Sequence, residues 1–186
     1  MRKKIVELAI LRIGSVNSDV VHQVKQRLSE IFPKMVCVIL DSEMPIPREA
    51  YNAKRKQFHS SRILAEINQH VEKTQATRVL GITYGDLYVP RLNFVFGEAE
   101  CPGKAALISL CRLEPEFYGD PSNITLFVER SVKEAVHEVG HTLGLAHCRA
   151  PTCVMFFSNS ILETDRKNPS FCERCRSLVV KYCSVL

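Results

Sequence analysis

The residues best suited to chemistry stand in one run, "VHEVGHTLGLAH", from Val136 to His147. His137 and His141 are four apart within an apolar pattern of helical period: Val128, Val132, Ala135, Val136, Val139 and Leu143. Four residues advance a helix by about 6 Å and turn it by about 400°, so both imidazoles point to one side. Arg130 and Glu134 share that side, whereas Val132, Val136 and Val139 form the apolar stripe. One helix can therefore bury one face and offer the other to a metal. Neutral imidazole ligates zinc at about 2.0–2.1 Å. Glu138, next to the first ligand, can reach a water on the same ion and act as its general base.

A catalytic zinc needs a third protein ligand and an open fourth position. Gly144 tolerates a left-handed backbone and ends the helix, so the chain can fold back and bring His147 to the metal. On a continued helix His147 would stand about 9 Å beyond His141. A lone helical histidine is usually structural, and HExxH by itself recurs by chance. Gly144 and His147 at their offsets disfavour coincidence. His22, His59 and His70 fit no such pattern and read as surface or cap residues.

The elements that position this run follow from periodicity. Ile5 to Ile13 reads as a strand, Val20 to Ile31 as an amphipathic helix capped by Asn17 or Ser18 and stopped by Pro33, and "MVCVIL" as a second strand. That opening predicts a parallel pair with a helical crossover. Asp41 to Phe58 reads as a loop, and its "KRKQF" as a solvated basic face. Ser60 to Lys73 reads as a helix, "RVLGITY" as a third strand, and "LNFVFGEAE" and "KAALISLCRL" as a fourth and fifth, with Cys101-Pro102-Gly103 between them. The active-site helix spans about Ser122 to Leu143. After Gly144 the chain reads as irregular and cysteine-rich. The expected organisation is a single domain over 1–186, with a sheet-bearing part, 1–144, and a small C-terminal subdomain, 145–186.

Bulk properties narrow the function classes. The 186 residues suffice for one domain with a real core, and 46% hydrophobic with 24% charged residues is ordinary globular composition. Lys and Arg exceed Asp and Glu by 25 to 20 and are scattered, without a basic-aromatic stripe, so no nucleic-acid partner is expected. The N-terminal apolar run is broken by Glu7 and Arg12, so it is not read as a signal peptide. No apolar run is long enough to span a membrane. The expectation is a cytoplasmic protein, a monomer, whose eight cysteines are thiols or metal ligands rather than a disulfide framework.

"HEVGHTLGLAH" matches the long zinc signature of the metzincin metallopeptidases, and Met155 in "CVM" is well placed for their methionine turn. Cys148, Cys153, Cys172 and Cys175, the last two as CxxC, narrow the likeness: the chain resembles the archaemetzincins. "GITYGDLY" and "NFVFGEA" also look like that family, so the resemblance spans the chain. It implies an α/β (α+β) fold, a metzincin-like twisted mixed sheet of about five strands with packed helices. It also implies two zinc ions: a catalytic one on His137, His141 and His147, with Glu138 catalytic, and a structural one on the four cysteines. Four thiolates indeed close a tetrahedral site, and so small a subdomain gains much from one. A thioredoxin-like redox pair is the rival reading of "CERC"; it requires the CxxC to follow a strand and open a helix. Cys37, Cys101, Cys111 and Cys183 have no partner spacing, and Cys37 and Cys111 read as core residues.

The function these readings imply is peptide hydrolysis, with a peptide or protein substrate lying along an edge strand, for which "KAALISL" is the candidate. The alternative is a peptide-binding module on the same fold with a weakly active or vestigial site. Some metzincins place an oxyanion-stabilising tyrosine two residues past the methionine; here that position is Phe157.

Overall fold

The computed structural model describes residues 6–32, 34–74 and 76–185, and the side chains of all but 73 and 183–185 among them. Ile5, Pro33 and the Cys183 side chain, which figure in the readings above, lie outside the described residues. The chain forms β1 (Val6–Ile13), α1 (Ser18–Ile31), β2 (Met35–Met44), β3 (Tyr51–Asn52), β4 (Gln57–His59), α2 (Ser60–Lys73), β5 (Arg78–Thr83), β6 (Leu87–Tyr88), β7 (Gly97–Ala99), β8 (Ala105–Ser109), α3 (Ile124–Thr142), α4 (Ile161–Arg166) and α5 (Glu173–Val185).

The main sheet has the order β2-β1-β5-β8-β7. Its first four strands are parallel, and β7 closes the edge antiparallel to β8, pairing Gly97 with Ile108 and Ala99 with Ala106. A small second sheet, β3-β4-β6, lies apart from it in the strand order. The apolar runs in the sequence are explained by burial on both faces. Leu8 and Ile10 of β1 join the core under α1 and α3, while Ala9, Leu11 and Ile13 join the core under α2. In β8, Ala106 and Ile108 face the first layer and Ala105 and Leu107 the second.

Helix α1 begins where Asn17 accepts a hydrogen bond from the Asp19 backbone N–H at 2.8 Å, satisfying one free donor of the first turn. It buries Val20, Val21, Val24 and Leu28, as the spacing predicts. Helix α3 is capped in the same way by Asn123, which accepts from Leu126 N–H at 3.0 Å.

Five expectations are corrected. The predicted 41–58 loop holds the end of β2 together with β3 and β4; its prolines, Pro45 and Pro47, fall between those strands. "LNFVFGEAE" is strand only at Gly97–Ala99, although Val95 makes an isolated bridge to Leu87. "KAALISL" is β8, an interior strand with both edges already paired, so it has no free backbone groups for a substrate; the edge on that side is β7. The region after Gly144 carries two helices, α4 and α5, that composition did not reveal. Cys37 is buried as expected, but Cys111 is half-buried in a helical turn after β8.

The C-terminal region adds Cys153, Val154, Met155, Ile161, Phe171, Cys175 and Val179 to the same core as the sheet and α3. Polar contacts fix α4 against α3. Arg130 makes paired bonds to the Asp165 carboxylate, both 2.7 Å, and Lys133 donates to the Asp165 carbonyl at 3.1 Å. Lys167, fully buried, donates to Glu134 at 2.9 Å, and Thr164 donates to the same oxygen at 3.1 Å. Removing one partner from such a pair strands a buried charge. Lys167→Met is therefore expected to destabilise by about 3–5 kcal/mol, and Lys167→Met with Glu134→Leu to recover most of that loss. Urea unfolding of the single and double variants measures both values.

Candidate active site

Nearly the whole second half of α3 is buried, including His137 and Glu138. The helix does not divide into a core face and a solvated face, as the sequence pattern implied. It runs under the sheet edge, and its polar side forms the floor of a cleft of about 590 Å³. That is a typical volume for a substrate site.

The helix ends at Thr142, and Gly144 takes φ +91°. Gly144 N–H donates to the His141 carbonyl at 2.8 Å and Leu145 N–H to the Gly140 carbonyl at 3.2 Å, the bonds of a left-handed helix stop. The turn brings His147 back to the helix histidines. Its ring centroid is 5.3 Å from that of His137 and 4.8 Å from that of His141. Ligand atoms of all three lie within 4.8 Å of one another.

The histidines are oriented from behind. His137 Nδ1–H donates to the Val154 carbonyl at 2.8 Å, and His141 Nδ1–H to the Leu145 carbonyl at 2.7 Å. Each bond fixes the tautomer, so both Nε2 atoms present lone pairs, and these face each other at 3.0 Å. Two convergent lone pairs suit a shared cation, and three imidazoles are a zinc donor set. Burial, the Lys167 charge and the neighbouring rings hold His137 well below the ordinary histidine value; burial also lowers His141 and His147. All three are therefore held in the neutral, ligating form at neutral pH.

Glu138 stands at the junction of helix and sheet edge. A Cβ on Gly97 would fall 2.7 Å from both Cγ and Oε1 of Glu138, and 2.6 Å from the Leu107 carbonyl oxygen. Gly97 thus lets the edge strand approach the carboxylate. Burial first, then the Glu134 charge, pushes the Glu138 carboxyl well above the ordinary value. Met155 is fully buried below Gly140, where a Cβ would meet its sulfur at 2.5 Å. The Phe157 ring lies 4.9 Å from that of His147 and carries no hydroxyl for an oxyanion. Ser158 beside it lines the same cleft, its hydroxyl buried without a hydrogen-bond partner.

The four predicted cysteines also meet, with sulfurs within 4.8 Å of one another. Cys148 and Cys172 sulfurs are 3.8 Å apart. Backbone N–H groups point at them: Ala150 to Cys148 at 3.5 Å and Cys172 to Cys153 at 3.4 Å. The Cys175 N–H, at the start of α5, is the leading cause lowering the Cys172 thiol to about 7. Such donors favour the thiolate, the form that binds zinc, at Cys172, while burial pushes the Cys153 and Cys175 thiols up. Helix α4 and a loop, not a strand, lead into α5.

Sequence reasoning passed over part of the site. It placed Glu134 on the histidine side but gave it no role. Glu134 lines the cleft with one oxygen held by Lys167 and Thr164. Its position one turn before Glu138 was a usable signal; Lys167, far along the chain, offered none.

The family model described as peptidase family M54 matches residues 3–181. The archaemetzincin of Methanocaldococcus jannaschii is 46% identical over 171 residues, covering 92% of this chain and 91% of its own. The crystal structure of the Methanopyrus kandleri archaemetzincin superposes with a TM-score of 0.86 at 38% identity, covering 98% of this chain and 97% of that one. The archaemetzincin of Archaeoglobus fulgidus, crystallised with malonate, gives 0.79 at 40% identity over 92% of this chain and 99% of that one. On fold, site geometry and these matches together, the chain belongs to peptidase family M54, the archaemetzincins, and is a zinc metallopeptidase.

Proposed function

We propose that His137, His141 and His147 hold the catalytic zinc, that Glu138 is the general base, and that Cys148, Cys153, Cys172 and Cys175 hold a second, structural zinc. The observation that carries the reading is the convergence of the three imidazoles beside Glu138 and directly under the free edge of β7. Zinc held at the histidines would supply Lewis-acid polarisation of the peptide carbonyl and a lowered pKa for water at the site. Glu138 takes the proton from that water and delivers it to the leaving amine. The unpaired edge of β7 aligns an extended peptide by strand addition, in place of the interior β8. The cysteine site staples 145–186 to the rest of a single domain, 1–186. The protein acts as a cytoplasmic monomer.

The test is elemental analysis of protein purified without added metal, paired with turnover of a diverse peptide library. Two zinc equivalents with cleavage support the whole reading. Two equivalents without cleavage favour the peptide-binding alternative, and a single equivalent at full occupancy overturns the two-zinc assignment.

A further inference from the structure

Part of the cleft wall is the segment between β6 and β7, and it is braced from behind. Arg55 donates to the Leu92 and Asn93 carbonyls at 2.9 and 2.8 Å, and Gln57 donates to Asn93 at 3.0 Å. Arg112 is sandwiched between the Phe94 and Phe117 rings, 4.4 and 4.8 Å from their centroids, and is fixed by paired bonds to Asp86 at 2.6 and 2.8 Å. At the tip of this braced segment Arg91 has φ +74°, a conformation that side-chain-bearing residues seldom adopt. It is the second central residue of a turn that follows Pro90 and is closed by Leu92 N–H donating to the Val89 carbonyl at 3.2 Å, which holds the side chain at the cleft.

Arg91 is exposed, lines the cleft, and makes no hydrogen bond or ion pair among the described residues. Among the described residues that line the cleft it is the one lysine or arginine. Of the three carboxylates there, Glu98 is held by the hydroxyls of Ser60 and Ser61, Glu134 by Lys167 and Thr164, and Glu138 is buried against Gly97. Arg91 thus lines a cleft with a polar floor and with Val89, Phe94, Phe96 and Phe157 among its apolar lining. Antiparallel pairing is the more stable kind of strand addition. A peptide paired that way to β7 has its C-terminal side next to the residues that precede Gly97, where Arg91 stands.

We propose that Arg91 is a specificity-determining residue that recognises a carboxylate on the C-terminal side of the scissile bond. This rests on the peptidase reading above. The carboxylate belongs either to an acidic side chain or to the free C-terminus of a short peptide. Guanidinium pairs with either through the same two-pronged bond.

The test uses internally quenched peptides with a fixed apolar core, made in four forms. Glu or Gln stands on the C-terminal side of the cleaved bond, and the terminus is a free acid or an amide. The parent is expected to favour one carboxylate form over its neutral counterpart by about tenfold or more in kcat/KM. A Glu/Gln preference that is indifferent to the terminus identifies the side chain; an acid/amide preference identifies the C-terminus. In Arg91→Gln the ratio should fall to near one, mostly through KM, while Arg91→Lys keeps part of it. No carboxylate preference in an active parent, or a preference that survives Arg91→Gln, overturns the proposal. Binding of the same four peptides to Glu138→Gln protein, read by fluorescence polarisation, separates this idea from the function reading. Carboxylate-dependent binding that Arg91→Gln abolishes, in a parent that cleaves nothing, sustains the Arg91 assignment and sinks hydrolysis.

Discussion

Glu138→Gln is expected to keep its zinc and lose nearly all hydrolysis. The amide has the size of the carboxylate but cannot accept the proton, and general acid–base help is worth typically about 10²–10⁴-fold, which sets the smallest loss expected. Fold should be retained, since Glu138 is packed by shape against Gly97 and burial already disfavours its charged form. His141→Ala should behave differently. It removes one of three ligands together with the ring that the Leu145 carbonyl orients, so zinc at that site should be lost or greatly weakened. Zinc content and peptide turnover on both variants beside the parent separate ligand from base. Full activity in Glu138→Gln defeats the mechanism, and tightly bound zinc at the histidines in His141→Ala defeats the ligand set.

Cys172→Ser carries the largest expected effect on stability. Apparent zinc energies reach about 10–16 kcal/mol in zinc-finger peptides. Here the cysteine region also contributes Val154, Met155 and Phe171 to the main core, so packing retains part of its structure when the metal is gone. A loss of several kcal/mol is expected, which in a chain of this size lowers Tm by about 10 °C or more. One zinc equivalent should disappear, and limited proteolysis should cut first within 145–186. Unchanged Tm with unchanged zinc content would show the thiols to be free of metal.

The active-site helix was legible because its signals are local. Period and cap locate α3 within two residues of the expectation, and the ligand spacing needs only one helix and one glycine turn to be geometrically complete. The same holds for Ser60–Lys73, which matches α2 residue for residue. What escaped was set by distant partners. The apolar run in β8 shows that both faces are buried, yet nothing in it tells an interior strand from an edge, because that depends on whether β7 pairs beside it. α4 is six residues long and held to α3 by Arg130, Lys133 and Glu134 rather than by an apolar stripe, so it leaves no periodic trace. α5 carries only a modest apolar face, and the CxxC at its start drew the reading toward metal and away from helix.

His147 and Cys148 are neighbours in the chain, yet one joins the imidazole group and the other the sulfur group. With each group holding zinc as proposed, a single peptide unit is tethered at both ends to different ions. Loss of either ion would then free one end of the peptide unit that positions the other's ligand. By thermodynamic linkage, filling the cysteine site then raises the affinity of the histidine site, and by the same factor in return. A protein of this build would lose its reactive metal first under chelation and regain it fully only while the sulfur-bound ion stays in place, so the order of metal loading becomes part of how the enzyme matures.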